Sequence, residues 1–269
     1  MKADETAPFL KWPGGKRWAS GMIAGMIGKR LRGTYYEPFL GGGAVFFQLL
    51  PEQPVLSDIN SDLINTYILV RDRPAELISR LRRLSVDKQT YDHMRETEPD
   101  DNLMRAVRFL YLNRTAFSGI YRLNLQGRFN VPFGGGERTH KILWEKSLLR
   151  NASRALAGAD IRHEDFETML DFAHDGDVVY CDPTYTVAHD NNGFIRYNER
   201  NFSWADQVRL AAAAMRASAR GALVIVSNAK HSSVCELYDG ANIRVLTRNS
   251  TVSTDIAKRQ AVKELLICL

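Results

Sequence analysis

The stretch YCDPTYT, residues 180–186, contains the residue types needed to hold a flat, polar molecule. An exocyclic amine on a nucleobase is a poor nucleophile because its lone pair is delocalised into the ring. A carboxylate and a backbone carbonyl that accept hydrogen bonds from its two N–H groups would localise that lone pair. An aromatic face would hold the ring. Asp182, the carbonyl of Pro183 and Tyr185 supply these three groups. Taken alone, the stretch is equally well explained as an ordinary Asp-Pro turn.

A second set of residues is typical of a nucleoside site. The segment YYEPFLGGG (35–43) predicts a strand that runs into a glycine turn and then a helix, which brings bare backbone close to a ligand. Asp58 ends the next predicted strand, where a carboxylate can accept both ribose hydroxyls. The spacing is not that of G-x-G-x-x-G, so a turn that only connects strand to helix stays open, and so does a capping role for Asp58.

The segment FLKWPGGKR (9–17) combines an aromatic residue, two glycines and Lys16. It is not a phosphate-binding P-loop, because Leu10 stands where the first glycine of that motif would be. Taken alone, this segment is equally well explained as a surface turn before a helix.

Several chemistries and settings are excluded or disfavoured. Cytosine-C5 methylation needs a cysteine nucleophile, and Cys181 precedes the acidic residue at the end of a buried strand. The three cysteines and the scattered histidines lack metal-ligand spacing, so we expect no metal. No apolar run approaches the roughly 18 residues that span a bilayer, and the N-terminus lacks the apolar core of a signal peptide. We therefore expect a cytoplasmic protein without a membrane partner.

The order of the predicted elements indicates an α/β protein with a doubly wound sheet. Strands are predicted at 34–37, 54–58, 159–165, 177–182 and 222–228, with an antiparallel pair formed by IRVLTR and KELLICL at the end. Helices are predicted from Lys16 to about Leu31, over 59–70, over most of 74–112, and after Ser203 as N-cap. Residues 116–138 are rich in glycine and asparagine and predict loops and a hairpin.

The basic charge is concentrated in one segment. The chain of 269 residues has a net charge of +5, yet residues 103–150 contain nine Lys/Arg against two acids and are +7 by themselves. Aromatic residues are interleaved with these cations, the mixture that nucleic-acid surfaces use for phosphates and base stacking. The segment also interrupts the alternation of strands and helices. We therefore predict an inserted, mostly helical DNA-recognition domain at 74–150, with the catalytic domain formed by 1–73 and 151–269.

With these pieces in order, the chain resembles the Dam-type DNA adenine-N6 methyltransferases (alpha-class, D12 class), which use S-adenosylmethionine. FLKWPGGK, EPFLGGGAVFF and LSDINSDLI are similar to the family's cofactor motifs, and the D-P-P-Y motif comes last, as it does here. The most specific match is FLYLNRTAFSGIYRLNLQGRFNVPFGG (109–135), which looks like the family's DNA-recognition segment. The resemblance covers nearly the whole chain and implies a Rossmann-like methyltransferase sheet.

The resemblance implies a role for each of the matching residues. It places Asp182, Pro183 and Tyr185 in catalysis on an adenine that is flipped out of double-stranded DNA, within a GATC-like site. Arg122 falls where the family reads a guanine, and Phe117 where an aromatic wedges into the base stack. The loop 186–200, with Asn191, Asn192 and Gly193, would close over the flipped base, and a monomer is expected. Cofactor contacts are implied for Trp12, Lys16, Glu37, Phe39, Gly41, Gly43, Asp58, Asp165, Phe166 and Asp182. DNA contacts are implied for Arg114, Phe117, Arg122, Asn124, Asn130, Pro132, Arg138, Lys141 and Tyr197, with Arg105 and Lys146 as further phosphate contacts.

Thr184 is the departure from the family pattern, because it replaces the second proline of D-P-P-Y. A proline there restricts the residue before it to extended backbone angles and helps to aim the Pro183 carbonyl. We expect activity to survive at a reduced rate, since the other groups are present. A catalytically silent DNA-binding homologue and methylation of cytosine N4 remain alternatives. The biological setting, whether phage, host maintenance or restriction–modification, stays open.

Overall fold

The computed structural model describes residues 6–124, 126–135, 146–186, 202–249 and 261–269. The chain divides into two compact units. The first consists of the residues up to Gly25 together with Leu40–Glu52 and Asp58–His163. The second consists of Met26–Phe39, Gln53–Ser57 and Glu164–Leu269. The predicted recognition segment, 74–150, therefore lies within the first unit.

The elements alternate between strands and helices except in the middle of the chain. The strands are β1 (Tyr35–Glu37), β2 (Pro54–Asp58), β3 (Asp160–His163), β4 (Val178–Cys181), β5 (Leu223–Ala229), β6 (Asn242–Asn249) and β7 (Ala261–Cys268). The helices are α1 (Ser20–Gly28), α2 (Ala44–Leu49), α3 (Ser61–Asp72), α4 (Pro74–Leu81), α5 (Lys88–Glu96), α6 (Asn102–Thr115), α7 (Lys146–Leu156), α8 (Phe166–Phe172), α9 (Trp204–Ala219) and α10 (Ser232–Leu237).

The seven strands form one mixed sheet in the order β3-β2-β1-β4-β5-β7-β6. β1 runs parallel to both β2 and β4, and β4 runs parallel to β5. β7 is antiparallel to both β5 and β6. The strand order reverses between β1 and β4, and ligands of such sheets bind at the carboxyl ends of the strands beside this reversal. A ligand is therefore expected beside the residues that follow β1 and β4.

The second unit packs an alanine-rich helix against the sheet. Leu210, Ala213 and Ala217 of α9 are buried in one cluster with Val224 and Val226 of β5. Small side chains on this face allow the helix backbone to lie close to the strands, so burial here depends on close packing rather than on large side chains. Ser203 begins α9 with a capping box, in which its hydroxyl accepts from the backbone N–H of Asp206 and the Asp206 carboxylate accepts from the N–H of Ser203.

The predicted fold class is confirmed, including the antiparallel pair at the end of the chain. The predicted helix after Lys16 is shorter than expected. It begins at Ser20, after a turn in which the N–H of Ala19 donates to the carbonyl of Lys16, and it ends at Gly28. In the part of the chain that the structure describes, no helix is long and apolar enough to cross a membrane. Among the same residues, no cluster of His, Cys, Asp and Glu has the makings of a metal site.

Candidate active site and DNA-recognition surface

The carboxyl ends of β1 and β4 carry two acidic residues at the point where the strand order reverses. Glu37 is the last residue of β1 and is 3% exposed, and its carboxylate accepts a hydrogen bond of 2.7 Å from the hydroxyl of Tyr35. Asp182 follows β4 directly and is half-buried, and Pro183 beside it is buried. The structure therefore places the predicted catalytic Asp-Pro pair at the sheet edge where a ligand is expected.

Tyr185 is fixed by a residue far away in the sequence. Its hydroxyl donates a hydrogen bond of 2.9 Å to Glu264, a buried residue of β7. Burial, together with the negative charges of Asp182 and Glu264, raises the pKa of Tyr185 well above its usual range. The phenol therefore stays protonated and remains a hydrogen-bond donor at neutral pH. Thr184, between the proline and this tyrosine, is exposed.

Cys181 is the last residue of β4 and is fully buried. Burial, with the charges of Asp182 and Glu37 beside it, raises the pKa of this thiol far above its usual value. A thiol must ionise to attack a pyrimidine ring, so this environment is the opposite of what cytosine-C5 chemistry needs.

The glycine turn of the first unit holds its backbone in a conformation that favours glycine. Gly41 and Gly43 have φ angles of 47° and 64°. The backbone N–H of Gly41 donates to Asp58 at 3.0 Å, and the N–H of Asn60 donates to the other oxygen of the same carboxylate at 3.0 Å. Burial raises the pKa of Asp58, although these two hydrogen bonds oppose the rise. Asp58 thus ties the turn to the start of α3, while Asn60 serves as the cap of that helix.

Trp12 packs directly on the glycine turn. A Cβ atom on Gly41 would lie 2.8 Å from Cδ1 and Nε1 of Trp12, so only glycine leaves room for the indole. On the recognition segment, Tyr121 stacks on Trp12 with a centroid distance of 5.7 Å and an interplanar angle of 18°. The buried Asn113 of α6 donates to and accepts from the backbone of Lys11. The segment that contains Trp12 is therefore attached to the recognition segment at two points.

Lys16 is buried, at 5% exposure, and its ammonium donates to the carbonyl of Gly14 at 3.2 Å. An ammonium beside a glycine-rich turn has three donors, so it is suited to binding an anionic group. Its predicted contact with the cofactor stays a prediction.

In the second unit, an aromatic cluster surrounds the predicted adenosine residues. Phe39 stacks on Phe166 at 5.3 Å between ring centroids. Asp165 caps α8 by accepting from the N–H of Glu167, and it also accepts from Arg209 at 2.9 Å. The guanidinium of Arg209 lies 4.8 Å from the ring centroid of Phe166. Arg209 of α9 therefore contacts both Asp165 and Phe166, the residues predicted to lie near the adenosine.

The recognition segment forms the predicted hairpin. The N–H of Asn124 donates to the carbonyl of Arg128, and the N–H of Asn130 donates to the carbonyl of Arg122. The side-chain oxygen of Asn124 accepts from the backbone N–H groups of Gln126 and Arg128, both at 2.9 Å. Asn124 thus builds the turn of the hairpin, and its predicted contact with DNA stays a prediction.

Several predicted DNA contacts lie at the surface of this segment. Phe117 is 56% exposed, in a short turn after α6. Arg122, Asn130 and Pro132 are also exposed, and Nε of Arg122 donates to the side chain of Asn130 at 2.9 Å. A large exposed aromatic and an arginine oriented by Asn130, both on this segment, are suited to DNA rather than to a protein core.

Other predicted contacts are placed differently. Arg114, in the last turn of α6, is half-buried. Arg105 donates two hydrogen bonds to Asp62, at 2.6 and 3.1 Å, so its guanidinium is engaged within the protein. Arg138, Lys141, Tyr197 and the loop residues Asn191, Asn192 and Gly193 lie outside the described residues, as does the side chain of Lys146.

Comparison with known proteins identifies the family of this chain. Residues 12–252 match the family model of the D12 class N6 adenine-specific DNA methyltransferases. The chain belongs to this family. It is an adenine-specific DNA methyltransferase, and the alternative of cytosine N4 as acceptor is disfavoured by the match.

The chain is similar to named DNA methyltransferases over most of its length. The enzyme is 34% identical over 270 residues to the Type II methyltransferase M1.LlaDCHI of Lactococcus lactis subsp. cremoris, with 97% of this chain and 94% of the relative covered. It is 34% identical over 264 residues to the DNA adenine methylase of Escherichia coli (strain K12), with 96% and 93% covered. The DNA N-6-adenine-methyltransferase of Escherichia phage P1 is 34% identical over 249 residues, which are 88% of this chain and 32% of the relative.

Four side chains that contact the predicted cofactor and catalytic segments did not emerge as candidates from the sequence. Arg209 and Asn113 look like ordinary helix residues, and Tyr121 is one of several aromatics in a basic segment. Glu264 carried one usable signal, because it is an acidic residue at the start of the apolar run LLICL. The four residues are Asn113, Tyr121, Arg209 and Glu264.

Proposed function

We propose that this enzyme transfers the methyl group of S-adenosylmethionine to adenine N6 in double-stranded DNA, at a GATC-like site, after flipping the adenine out of the helix. The observation that carries the proposal is the position of Asp182-Pro183 at the carboxyl end of β4, beside the reversal of strand order, with Tyr185 held two residues later.

The chain's own residues would prepare the amine for attack. The carboxylate of Asp182 and the carbonyl of Pro183 accept hydrogen bonds from the two N–H groups of N6. These hydrogen bonds localise the lone pair on the nitrogen. Tyr185 lies against the face of the base. Thr184 is exposed and lacks the ring of a second proline, so the backbone angles of Pro183 are set by its surroundings. We propose that this lowers the rate without abolishing it.

The residues present fit S-adenosylmethionine, which supplies an activated methyl group when bound. In the first unit, Gly41 and Gly43 let the turn pack tightly against Trp12 and Tyr67, and Asp58 offers carboxylate oxygens beside the turn. Trp12 and Lys16 complete this set. In the second unit, Phe39, Asp165 and Phe166 form the aromatic and acidic set proposed for the adenosine, with Glu37 and Asp182 at the strand ends. These roles rest on the match of each residue to the family's motifs.

The recognition role of residues 74–150 rests on charge and exposure. We propose that Arg122 contacts a guanine of the site, since its Nε is held by Asn130 and a bidentate contact with O6 and N7 would use its two Nη groups. Phe117 would fill the space vacated by the flipped adenine. Asn124, Asn130, Pro132, Arg114, Arg138, Lys141 and Tyr197 complete the proposed contacts with DNA, and we propose that the enzyme acts as a monomer.

Sequencing of DNA from cells that express the enzyme, with detection of modified bases, tests this proposal. Expression in a host without adenine methylation should give N6-methyladenine within a GATC-like sequence, and expression of Asp182→Ala should give none while DNA binding is retained. Modification at an unrelated sequence would refute the target but not the chemistry. Substantial modification by Asp182→Ala would refute the catalytic role of Asp182.

A purified assay separates the role of Arg122 from that of a phosphate contact. Arg122→Ala should relax discrimination at one base pair by about 1–3 kcal/mol. If binding weakened uniformly across all sequences, Arg122 would be a phosphate contact.

A further inference from the structure

Glu264 is a buried acidic residue in a strand that has no structural need for a charge. It is 2% exposed, and the next three residues of β7 (Leu265, Leu266 and Ile267) are buried apolar residues. Burying a carboxylate is costly, and an apolar residue of similar size is often as stabilising or more so at such a position. The packing of the sheet therefore does not account for an acidic residue at position 264.

The carboxylate of Glu264 connects a rigid strand to the segment that follows the catalytic aspartate. β7 is hydrogen-bonded on both sides, with Glu264 opposite Ala229 of β5 and Leu246 of β6. Residues 182–186 have no regular secondary structure, so neither a helix nor a strand fixes the ring of Tyr185. The hydrogen bond of 2.9 Å from the Tyr185 hydroxyl to Glu264 supplies that constraint.

The Tyr185 hydroxyl is well suited to act as the donor of this hydrogen bond. Burial and the neighbouring carboxylates raise the pKa of Tyr185 well above its usual range, so the phenol remains a donor at neutral pH. Tyr180 of β4 is a useful contrast, because its buried hydroxyl bonds to Ser227 of β5 at 2.9 Å. That contact joins two strands that already pair with each other.

We propose that Glu264 is a positioning residue for methyl transfer, which holds the ring of Tyr185 against the target adenine through the tyrosine hydroxyl. This inference rests on the proposed function of Tyr185. Losing the hydrogen bond should affect the reaction step more than substrate binding, because small errors in the orientation of reacting groups are costly to the rate. The cofactor contacts proposed for the second unit do not include Glu264, so the KM for S-adenosylmethionine should change little.

The test is a double-mutant cycle on the full chain. Single-turnover methyl transfer from S-adenosylmethionine to unmethylated genomic DNA is measured for wild type, Glu264→Met, Tyr185→Phe and the double variant. Methionine is apolar and similar in length to glutamate, so it removes the acceptor with the least risk to folding. Glu264→Gln keeps an acceptor oxygen and serves as the conservative variant. Tyr180→Phe is the matched control, since it removes a buried tyrosine hydroxyl that bonds to Ser227.

We expect Glu264→Met and Tyr185→Phe each to lower the rate by about tenfold or more, with the double variant no slower than the slower single variant. Glu264→Gln should stay within a few-fold of wild type, and Tyr180→Phe should lose stability without losing rate. If Glu264→Met does not fold, the comparison of Glu264→Gln with Tyr185→Phe carries the test, and a Gln variant as slow as Tyr185→Phe would overturn the inference.

The inference and the proposed function fail in distinguishable ways. If the rate losses of the two single variants multiply in the double variant, or if Glu264→Met keeps the wild-type rate, the positioning role is wrong while the proposed function stands. If wild type transfers no methyl group to this DNA, the proposed function is wrong, and the role of Glu264 is overturned with it.

Discussion

Replacing Gly41 by alanine should impair binding of S-adenosylmethionine, and the size of the effect follows from two local costs. Gly41 has a φ angle of 47°, where an L-residue costs about 1–2 kcal/mol. The new Cβ atom would lie 2.8 Å from the indole of Trp12, which is closer than real Cβ contacts allow. Because Trp12 is stacked on Tyr121, we expect the turn rather than the ring to move.

Movement of the turn would break the hydrogen bond from Gly41 to Asp58, which is 3.0 Å long. A hydrogen bond to a charged group contributes about 1.5–3 kcal/mol, so the total local cost is about 2.5–5 kcal/mol. Some of that cost will be relieved by relaxation of the turn. Since about 1.4 kcal/mol corresponds to a factor of ten in affinity, we expect the variant to bind S-adenosylmethionine at least about tenfold more weakly.

Gly240→Ala is the matched control for backbone strain. Gly240 has a φ angle of 82°, and a Cβ atom there would meet no atom within 4 Å. Urea denaturation should show a loss of about 1–2 kcal/mol for this variant, whereas calorimetric titration should show unchanged affinity for S-adenosylmethionine. If Gly41→Ala fails to fold, Gly42→Ala replaces it, since its Cβ atom would lie 3.1 Å from Cβ of Trp12 without a positive φ. Wild-type affinity in a folded Gly41→Ala variant would refute the placement of the cofactor at this turn.

Three further variants test separate parts of the structure. Ser203→Ala should lower the free energy of unfolding by about 1 kcal/mol in urea denaturation, because the capping box of α9 is lost; an unchanged midpoint would contradict this. Arg105→Ala should leave the salt dependence of DNA binding nearly unchanged, because the guanidinium of Arg105 is hydrogen-bonded to Asp62. If the slope of the logarithm of the binding constant against the logarithm of salt concentration became smaller by about one, Arg105 would instead be a phosphate contact. Hydrogen bonds from Arg216 and Arg209 lower the pKa of Glu167 in the folded protein below its ordinary 4.5. These hydrogen bonds therefore stabilise the fold fully above pH 4.5, and the stabilisation is lost as the pH falls through the pKa of Glu167 in the folded protein. Glu167→Gln should therefore be less stable than wild type near pH 7, and the difference should shrink as the pH falls below 4.5. A difference that stays constant on acidification would refute the reasoning.

Most of the fold could be predicted from local patterns. The apolar runs of β2, β4 and β5 and the alanine-rich pattern of α9 are each contained within one short segment, so their element type follows from composition and periodicity. The Ser203 cap is equally local, since its partner is three residues away. The end of α1 was harder to predict, because helix ends depend on turns whose energies differ little.

The candidate site was predicted where its residues form contiguous motifs. Asp182-Pro183, the glycine turn and Asp58 all follow predicted strands, and the parallel arrangement of strands indicates that β1 and β4 end at one edge. The supporting contacts were not predicted, because they join residues with no relation in the sequence. Arg209 reaches Asp165 from another helix, and Tyr121 reaches Trp12 from the recognition segment.

The sequence by itself determined the family, the class of fold and the residues at the strand ends, because motif order and hydrophobic periodicity are local properties of the chain. Only the tertiary structure decided what holds those residues in place. The pairing of β7 with β5 brings Glu264 to the hydroxyl of Tyr185, 79 residues away. No local pattern encodes that contact, because it depends on the register of strands that meet only after the chain has folded.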